Sequence, residues 1–140
     1  MNPKTFREYD IRGIVDQEIE DRDVVRLGKA FGTYMARENK RRVVLGRDCR
    51  LSSEHFRDLI VEGMVEGGLN VIDLGLVPTP LFYYSLFTLD VEGGIMITGS
   101  HNPPEYNGFK VCLGKGTIYG EEIQNIRIIG DSWTYSEGKG

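Results

Sequence analysis

The chain is short of cysteine and histidine: in 140 residues it has only Cys49, Cys112, His55 and His101. Two cysteines cannot build a disulfide scaffold, and these four side chains do not fall at zinc-ligand spacing. Long apolar runs are lacking too. The hydrophobic segments are brief and broken by glycine or polar residues, so none is long enough to span a bilayer. No charged-then-apolar export signal opens the chain, because Met1 to Asp10 is polar and mixed. A basic block is also missing, with 17 Lys+Arg against 21 Asp+Glu and a net charge of −4. That balance disfavours nucleic acid or an anionic membrane as the main partner. The expectation is a reduced, soluble, cytoplasmic chain with a single core.

Glycine is in excess, at 18 of 140 residues, against an ordinary share of about 7%. The glycines lie between hydrophobic segments and follow no collagen period, which points to tight connections and close backbone approaches.

Strand and helix patterns alternate along the chain. Phe6 to Val15 reads as a short strand. Asp21 and Asp23 precede Val24, Leu27, Gly28, Phe31, Tyr34 and Met35 at spacings of three and four. That is an amphipathic helix with acids at its positive end. Val43 to Leu45 reads as a buried strand. Ser52 or Ser53 is the expected cap of a second helix carrying Phe56, Leu59, Ile60, Gly63 and Met64, with Gly67-Gly68 as its left-handed stop. Val71 to Leu74 is a third strand, and Pro78 and Pro80 open a helix over about Thr79 to Thr88. Gly94 to Thr98 and Phe109 to Leu113 are further strands, with Asn107-Gly108 as a turn between them. A last helix begins near Gly120-Glu121 and contains Ile123, Ile126 and Arg127. This order predicts a three-layer α/β/α sandwich with a mixed, mostly parallel sheet. The connection from Thr98 to Phe109 has no helix pattern, so one strand is expected to be antiparallel.

The densest cluster of reactive side chains is Thr98 to Lys110, TGSHNPPEYNGFK. It follows a strand directly, and in open α/β sheets ligands bind beyond the strands' carboxyl ends. Ser100 supplies a hydroxyl and Gly99 permits close approach. A serine-hydrolase elbow does not fit, since Asn102 stands where G-x-S-x-G needs its second glycine. His101, adjacent in sequence, cannot easily reach the Ser100 hydroxyl as a base. No helix follows to hold a phosphate at its N-terminus. A phosphorylated serine held by loop amides, a cation and Lys110 does fit the setting. A polar loop without function is the plain alternative at this stage.

TGSHNPPEYNGFK resembles the phosphoserine loop of the α-D-phosphohexomutases, the phosphomannomutase/phosphoglucomutase family. FREYDIRG (Phe6 to Gly13) and GRDCR (Gly46 to Arg50) resemble that family's other two N-terminal signatures, in the same order. The likeness runs to about Ile129. It implies an N-terminal phosphoserine domain over residues 1–130, with 131–140 a linker or tail cut short. Ser100 matches the phosphoryl-carrying serine. It would give its group to a hexose monophosphate (mannose or glucose), and the bisphosphorylated sugar would turn around and return the other phosphate. His101 and Lys110 match residues for proton handling and charge stabilisation. Tyr9 and Arg12 match residues lining the active site, and Asn102 one that shapes the loop. The likeness also implies Mg2+, bound here only through the phosphate on Ser100, and a hexose 1,6-bisphosphate activator or intermediate.

The family's later acidic magnesium loop, sugar-recognition loop and phosphate-clamping loop do not occur in these residues. Their ligands would lie in C-terminal domains of the same protein, and the chain alone is expected not to complete a cycle. Gly99 favours the phosphomannomutase/phosphoglucomutase branch over the phosphoglucosamine branch, where alanine is usual. Two other classes stay open: a domain that binds sugar phosphate without transfer, and a purely structural α/β domain. The ordinary alternative for Arg12 is a pair with Asp10, and for Lys110 a solvated strand edge. His55 is assigned no role. Asp48 and Arg50 are expected to fix a turn or loop, Cys49 to pack, and Phe82, Tyr83, Tyr84 and Phe87 to form core or a domain contact.

Overall fold

The computed structural model describes residues 1–140. Its strands are β1 (Ile11–Ile14), β2 (Arg42–Arg47), β3 (Asn70–Leu76), β4 (Gly93–Ile97), β5 (Tyr106–Leu113) and β6 (Gly116–Thr117). The helices are α1 (Asp21–Arg37), α2 (Leu51–Glu66), α3 (Thr79–Thr88) and α4 (Glu121–Ser132). The strands form one sheet in the order β1-β5-β4-β2-β3, with β6 paired to β5. β2 runs parallel to β3 and β4, whereas β5 is antiparallel to β4, β1 and β6. One strand is therefore reversed in an otherwise co-directional sheet, as the short Thr98–Phe109 connection requires.

The two faces of the sheet are covered unequally. Residues from α1, α2 and α4 (Leu27, Phe31, Phe56, Ile60, Ile123, Ile126) share the main core with Val43, Leu45, Ile95 and Phe109. The opposite face carries α3 alone, where Phe82 and Leu86 meet Val44, Met96 and Cys112. Central β4 is buried along its whole length, which explains its continuous apolar run. α1 and α2 approach closely because glycine faces glycine. A Cβ on Gly28 would lie 2.7 Å from the Ile60 carbonyl oxygen, and one on Gly63 would overlap that of Val25.

Several expectations are corrected. The first strand is only Ile11–Ile14, because a 3-10 turn over Pro3–Thr5 and an Arg7 N–H to Asp10 carbonyl bond (2.9 Å) fold the chain back before it. α2 starts at Leu51 with Arg50 as its N-cap residue, so Ser52 and Ser53 lie inside the first turn. Asp48 accepts from the Arg50 amide (3.1 Å) at that end. Asn107-Gly108 is no turn: both residues are buried within β5, pairing with Gly13 and Arg12. Within the expected Gly67-Gly68 stop, Gly68 carries the left-handed backbone after α2 (φ 86°). α4 reaches Ser132, two residues into the expected tail. Beyond it, Tyr135 donates to the Gly130 carbonyl (2.7 Å), and the Ser136 amide donates to Thr33 Oγ1 (2.9 Å). No helix is long and apolar enough to cross a membrane.

Candidate active site

The carboxyl ends of β2, β3 and β4 open into one crevice of about 640 Å³. β2 delivers Asp48, Cys49 and Arg50 to it. β3 leads into Val77, Pro78 and Thr79 at the start of α3, and β4 runs into Thr98, Ser100, His101 and Asn102. Lys110 enters from the middle of β5, opposite Met96 in register, on the face that carries α3. Strand alternation sends Phe109 and Val111 into the main core, which leaves Lys110 for the crevice side.

Ser100 is exposed and sits in left-handed backbone (φ 55°), which non-glycine residues adopt rarely. Two contacts hold it there: its amide donates to Thr98 Oγ1 (2.9 Å), and its carbonyl accepts from Arg50 Nη2 (3.2 Å). His101 is exposed beside it. The structure thus brings Ser100, His101, Asn102 and Lys110 into one crevice.

Arg12 and Tyr9 stand apart from that lining. Arg12 lies on edge strand β1 opposite Gly108. Its guanidinium donates to Asn102 Oδ1 (2.5 Å) and forms an ion pair with Asp10. Arg12 therefore touches the loop from behind, and its Nε is buried without a partner. Tyr9 lies in the bend ahead of β1, 67% exposed, with its ring 6.3 Å from that of Tyr119.

Asp48 and Arg50 hold the loop. The Asp48 carboxylate accepts from Ser53 Oγ (2.5 Å) and the Gly99 amide (3.2 Å), and faces Arg50 Nε at 3.3 Å. Asn107 is fully buried, and its Nδ2 donates to Ser52 Oγ (2.8 Å) and Ser53 Oγ (3.0 Å). Its place at this junction escaped a sequence reading because Asn-Gly is the commonest hairpin dipeptide. Cys49 is exposed at the crevice and not packed, a correction that follows from its place just ahead of the α2 N-cap. Cys112, by contrast, is buried behind Lys110, and burial pushes its thiol up to about 11. His55 meets Asp21 at 2.9 Å on the surface, away from the crevice. Phe82 is core, whereas Tyr84 and Phe87 are exposed on α3.

The donor set of the crevice does not suit a magnesium ion. No group of three or more His, Cys, Asp or Glu side chains is placed to hold a metal. Asp48, the one carboxylate in the crevice, already has both oxygens engaged. The residues of this chain do not by themselves fit the ion.

Comparison with known proteins agrees with this architecture. Residues 3–134 match the family described as phosphoglucomutase/phosphomannomutase, alpha/beta/alpha domain I. A phosphoglucomutase of Neisseria meningitidis is 44% identical over 124 residues, covering 89% of this chain and 27% of the relative. A phosphoglucomutase/phosphomannomutase of Thermococcus kodakarensis is 43% identical over 125 residues, covering 88% and 27%. The crystal structure of a phosphoglucomutase/phosphomannomutase family protein from Burkholderia thailandensis superposes with a TM-score of 0.92 at 35% identity, covering 97% of this chain and 31% of that one. The chain spans about a quarter to a third of the length of these relatives. On its sequence, its sheet order and the placement of its serine loop, the chain belongs to the phosphoglucomutase/phosphomannomutase family and corresponds to its α/β/α domain I.

Proposed function

We propose that this chain is the phosphoserine-carrying domain of a mutase that interconverts hexose 1-phosphate and hexose 6-phosphate, of mannose or glucose. The observation that carries the proposal is Ser100 itself. An exposed hydroxyl is held on strained left-handed backbone at the strand ends, with His101 and Lys110 in the same crevice. Phosphoryl transfer asks for positioning and charge stabilisation more than for covalent help, and this is what such a crevice supplies.

In the proposed step the bond from Ser100 Oγ to phosphorus breaks and a bond from a sugar hydroxyl to phosphorus forms. The hydroxyl proton is taken up by His101 as general base, a role an exposed imidazole in this crevice can fill. A proton then returns to Ser100 Oγ. The hexose 1,6-bisphosphate so formed turns around, and the reverse step from its other phosphate rephosphorylates Ser100. Lys110 offsets charge on the moving group as a compact ammonium. Asn102, fixed by Arg12, shapes the loop wall, and Arg12 and exposed Tyr9 are the candidate substrate contacts on the β1 side. Arg12, with its two terminal nitrogens on Asn102 and Asp10, would meet a phosphate only by releasing one of them. Tyr9 rests on the family signature alone.

Magnesium belongs to the proposal only through a phosphate oxygen on Ser100, with its other ligands from elsewhere in a longer polypeptide. When bound, such an ion neutralises phosphate charge. The partners we propose are a hexose phosphate and further C-terminal domains of the same protein. Residues 1–132, through the end of α4, form the carrier domain and 133–140 the connection onward, and without those domains the chain is proposed to be inactive as a mutase. Two free thiols, one of them exposed, suit a reducing cytoplasm.

Intact-protein mass spectrometry of the full-length polypeptide after incubation with glucose 1,6-bisphosphate tests the reading. One added phosphate on the wild type and none on Ser100→Ala is the expected result. A chain that binds the sugar yet never gains phosphate would instead be a binding domain, and the proposal would fall.

A further inference from the structure

Arg50 reaches across the Ser100 loop and gathers its carbonyls onto one cation. Nη1 donates to the carbonyls of Pro103 (2.7 Å) and Tyr106 (2.9 Å), and Nη2 to those of Asn102 (2.7 Å) and Ser100 (3.2 Å). Nε faces Asp48, which also accepts the Gly99 amide where the loop begins. One guanidinium and its carboxylate thus hold the loop at its start, at Ser100 and at its end. A Cβ on Gly99 would land on the guanidinium itself, so alanine there would push Arg50 off its present position against the loop.

Two consequences follow for the hydroxyl. First, the negative ends of four carbonyl dipoles are turned onto the Arg50 cation and offset there. Second, the left-handed Ser100 conformation persists only if its surroundings over-determine it, and the Arg50 bond to its carbonyl is one of the two contacts that do so. A lysine cannot substitute, because a single ammonium has three donors at one point and lacks the planar fork that reaches four acceptors.

We propose that Arg50, oriented by Asp48, is the positioning residue of the phosphoserine loop, acting through the backbone carbonyls of Ser100, Asn102, Pro103 and Tyr106 and not on the sugar. This deepens the carrier role proposed for Ser100 and rests on it.

The test compares wild type with Arg50→Met and Arg50→Lys in two measurements. In amide exchange followed by NMR, the Asn102 and Tyr106 amides bond within the loop, to the Gly99 and Pro103 carbonyls. In Arg50→Met they should exchange faster by roughly tenfold or more, as expected when hydrogen bonds to a charged donor are lost. The β4 amides should be unchanged. In the second measurement, Ser100 of the full-length polypeptide is phosphorylated with glucose 1,6-bisphosphate. The maximal rate should fall by about 10²-fold while the half-saturating concentration stays put, the signature of lost alignment and not of lost binding. Arg50→Lys should fall between the two.

Unchanged loop exchange and an unchanged maximal rate in Arg50→Met would overturn the inference. If Arg50→Met loses β4 protection as well, Arg50→Lys decides, and wild-type behaviour there overturns it. If wild-type Ser100 takes no phosphate, the carrier reading fails by that result, and loop exchange alone decides whether Arg50 positions the loop.

Discussion

Asn107 joins the strand after the serine loop to the helix turn that follows Arg50, so Asn107→Leu probes the frame of the site with little change in volume. Three hydrogen bonds disappear: Nδ2 to Ser52 Oγ, Nδ2 to Ser53 Oγ, and the Gly108 amide to Oδ1 at 2.9 Å. The buried Gly108 N–H, left without an acceptor, costs about 1–3 kcal/mol, and each hydroxyl bond contributes about 0.5–1.5 kcal/mol net. The serines lose less than this, because their oxygens can still donate. Leucine recovers part through its own apolar burial, which leaves a net loss of about 2–3 kcal/mol. For a chain of this length that corresponds to a fall in Tm of roughly 7–10 °C, read by circular dichroism on heating. A fall smaller than about 2 °C would mean that these bonds do not tie β5 to α2.

Three further outcomes are expected. Gly63→Ala should destabilise the chain by about 1–3 kcal/mol in urea unfolding, since the new Cβ overlaps the backbone of Val25 and neither helix can yield locally. A thiol reagent at about pH 8 should label one cysteine in the folded chain, Cys49. Cys112, buried with its pKa pushed up to about 11, should react only on unfolding. Glu92 accepts the Arg41 and Arg42 amides (2.8 and 3.1 Å), which hold its carboxyl below the usual range. A depressed folded pKa gives stability that is present above the unfolded value and lost as pH falls through the folded one. Glu92→Gln should therefore be less stable than wild type at neutral pH, with the gap closing below about pH 4.3.

Elements governed by near neighbours were legible from the residues. The spacing of Val24, Leu27, Phe31 and Met35 fixes one buried face of α1, and the helix is found there. The unbroken apolar run of β4 likewise marks a central strand. The single reversed strand followed from a connection too short for a crossover. TGSHNPP stood out because its reactive residue types are contiguous. What local sequence does not encode is partnership over distance. Arg50 reads as a residue that fixes a turn or loop, but which loop appears only when the fold brings Pro103, 53 positions away, within 2.7 Å of it. Asn107-Gly108 carries a turn signal that pairing on both sides of β5 overrides. For Arg12 the resemblance favoured a phosphate contact over a pair with Asp10, and the structure, in register opposite Gly108, joins it to Asp10 and Asn102. The residues after Ser132 have no periodicity, yet single hydrogen bonds from Tyr135 and Ser136 lay them against α4 and α1.

The most direct measurement starts from protein carrying phosphate on Ser100, in the full-length polypeptide. Glucose 1-phosphate is added, the reaction is quenched at short times, and the phosphate on Ser100 and in the sugar is quantified. Loss from Ser100 matched by hexose 1,6-bisphosphate, at least as fast as overall turnover, is the expected result. Turnover that proceeds while Ser100 keeps its phosphate, or that survives Ser100→Ala, would contradict it.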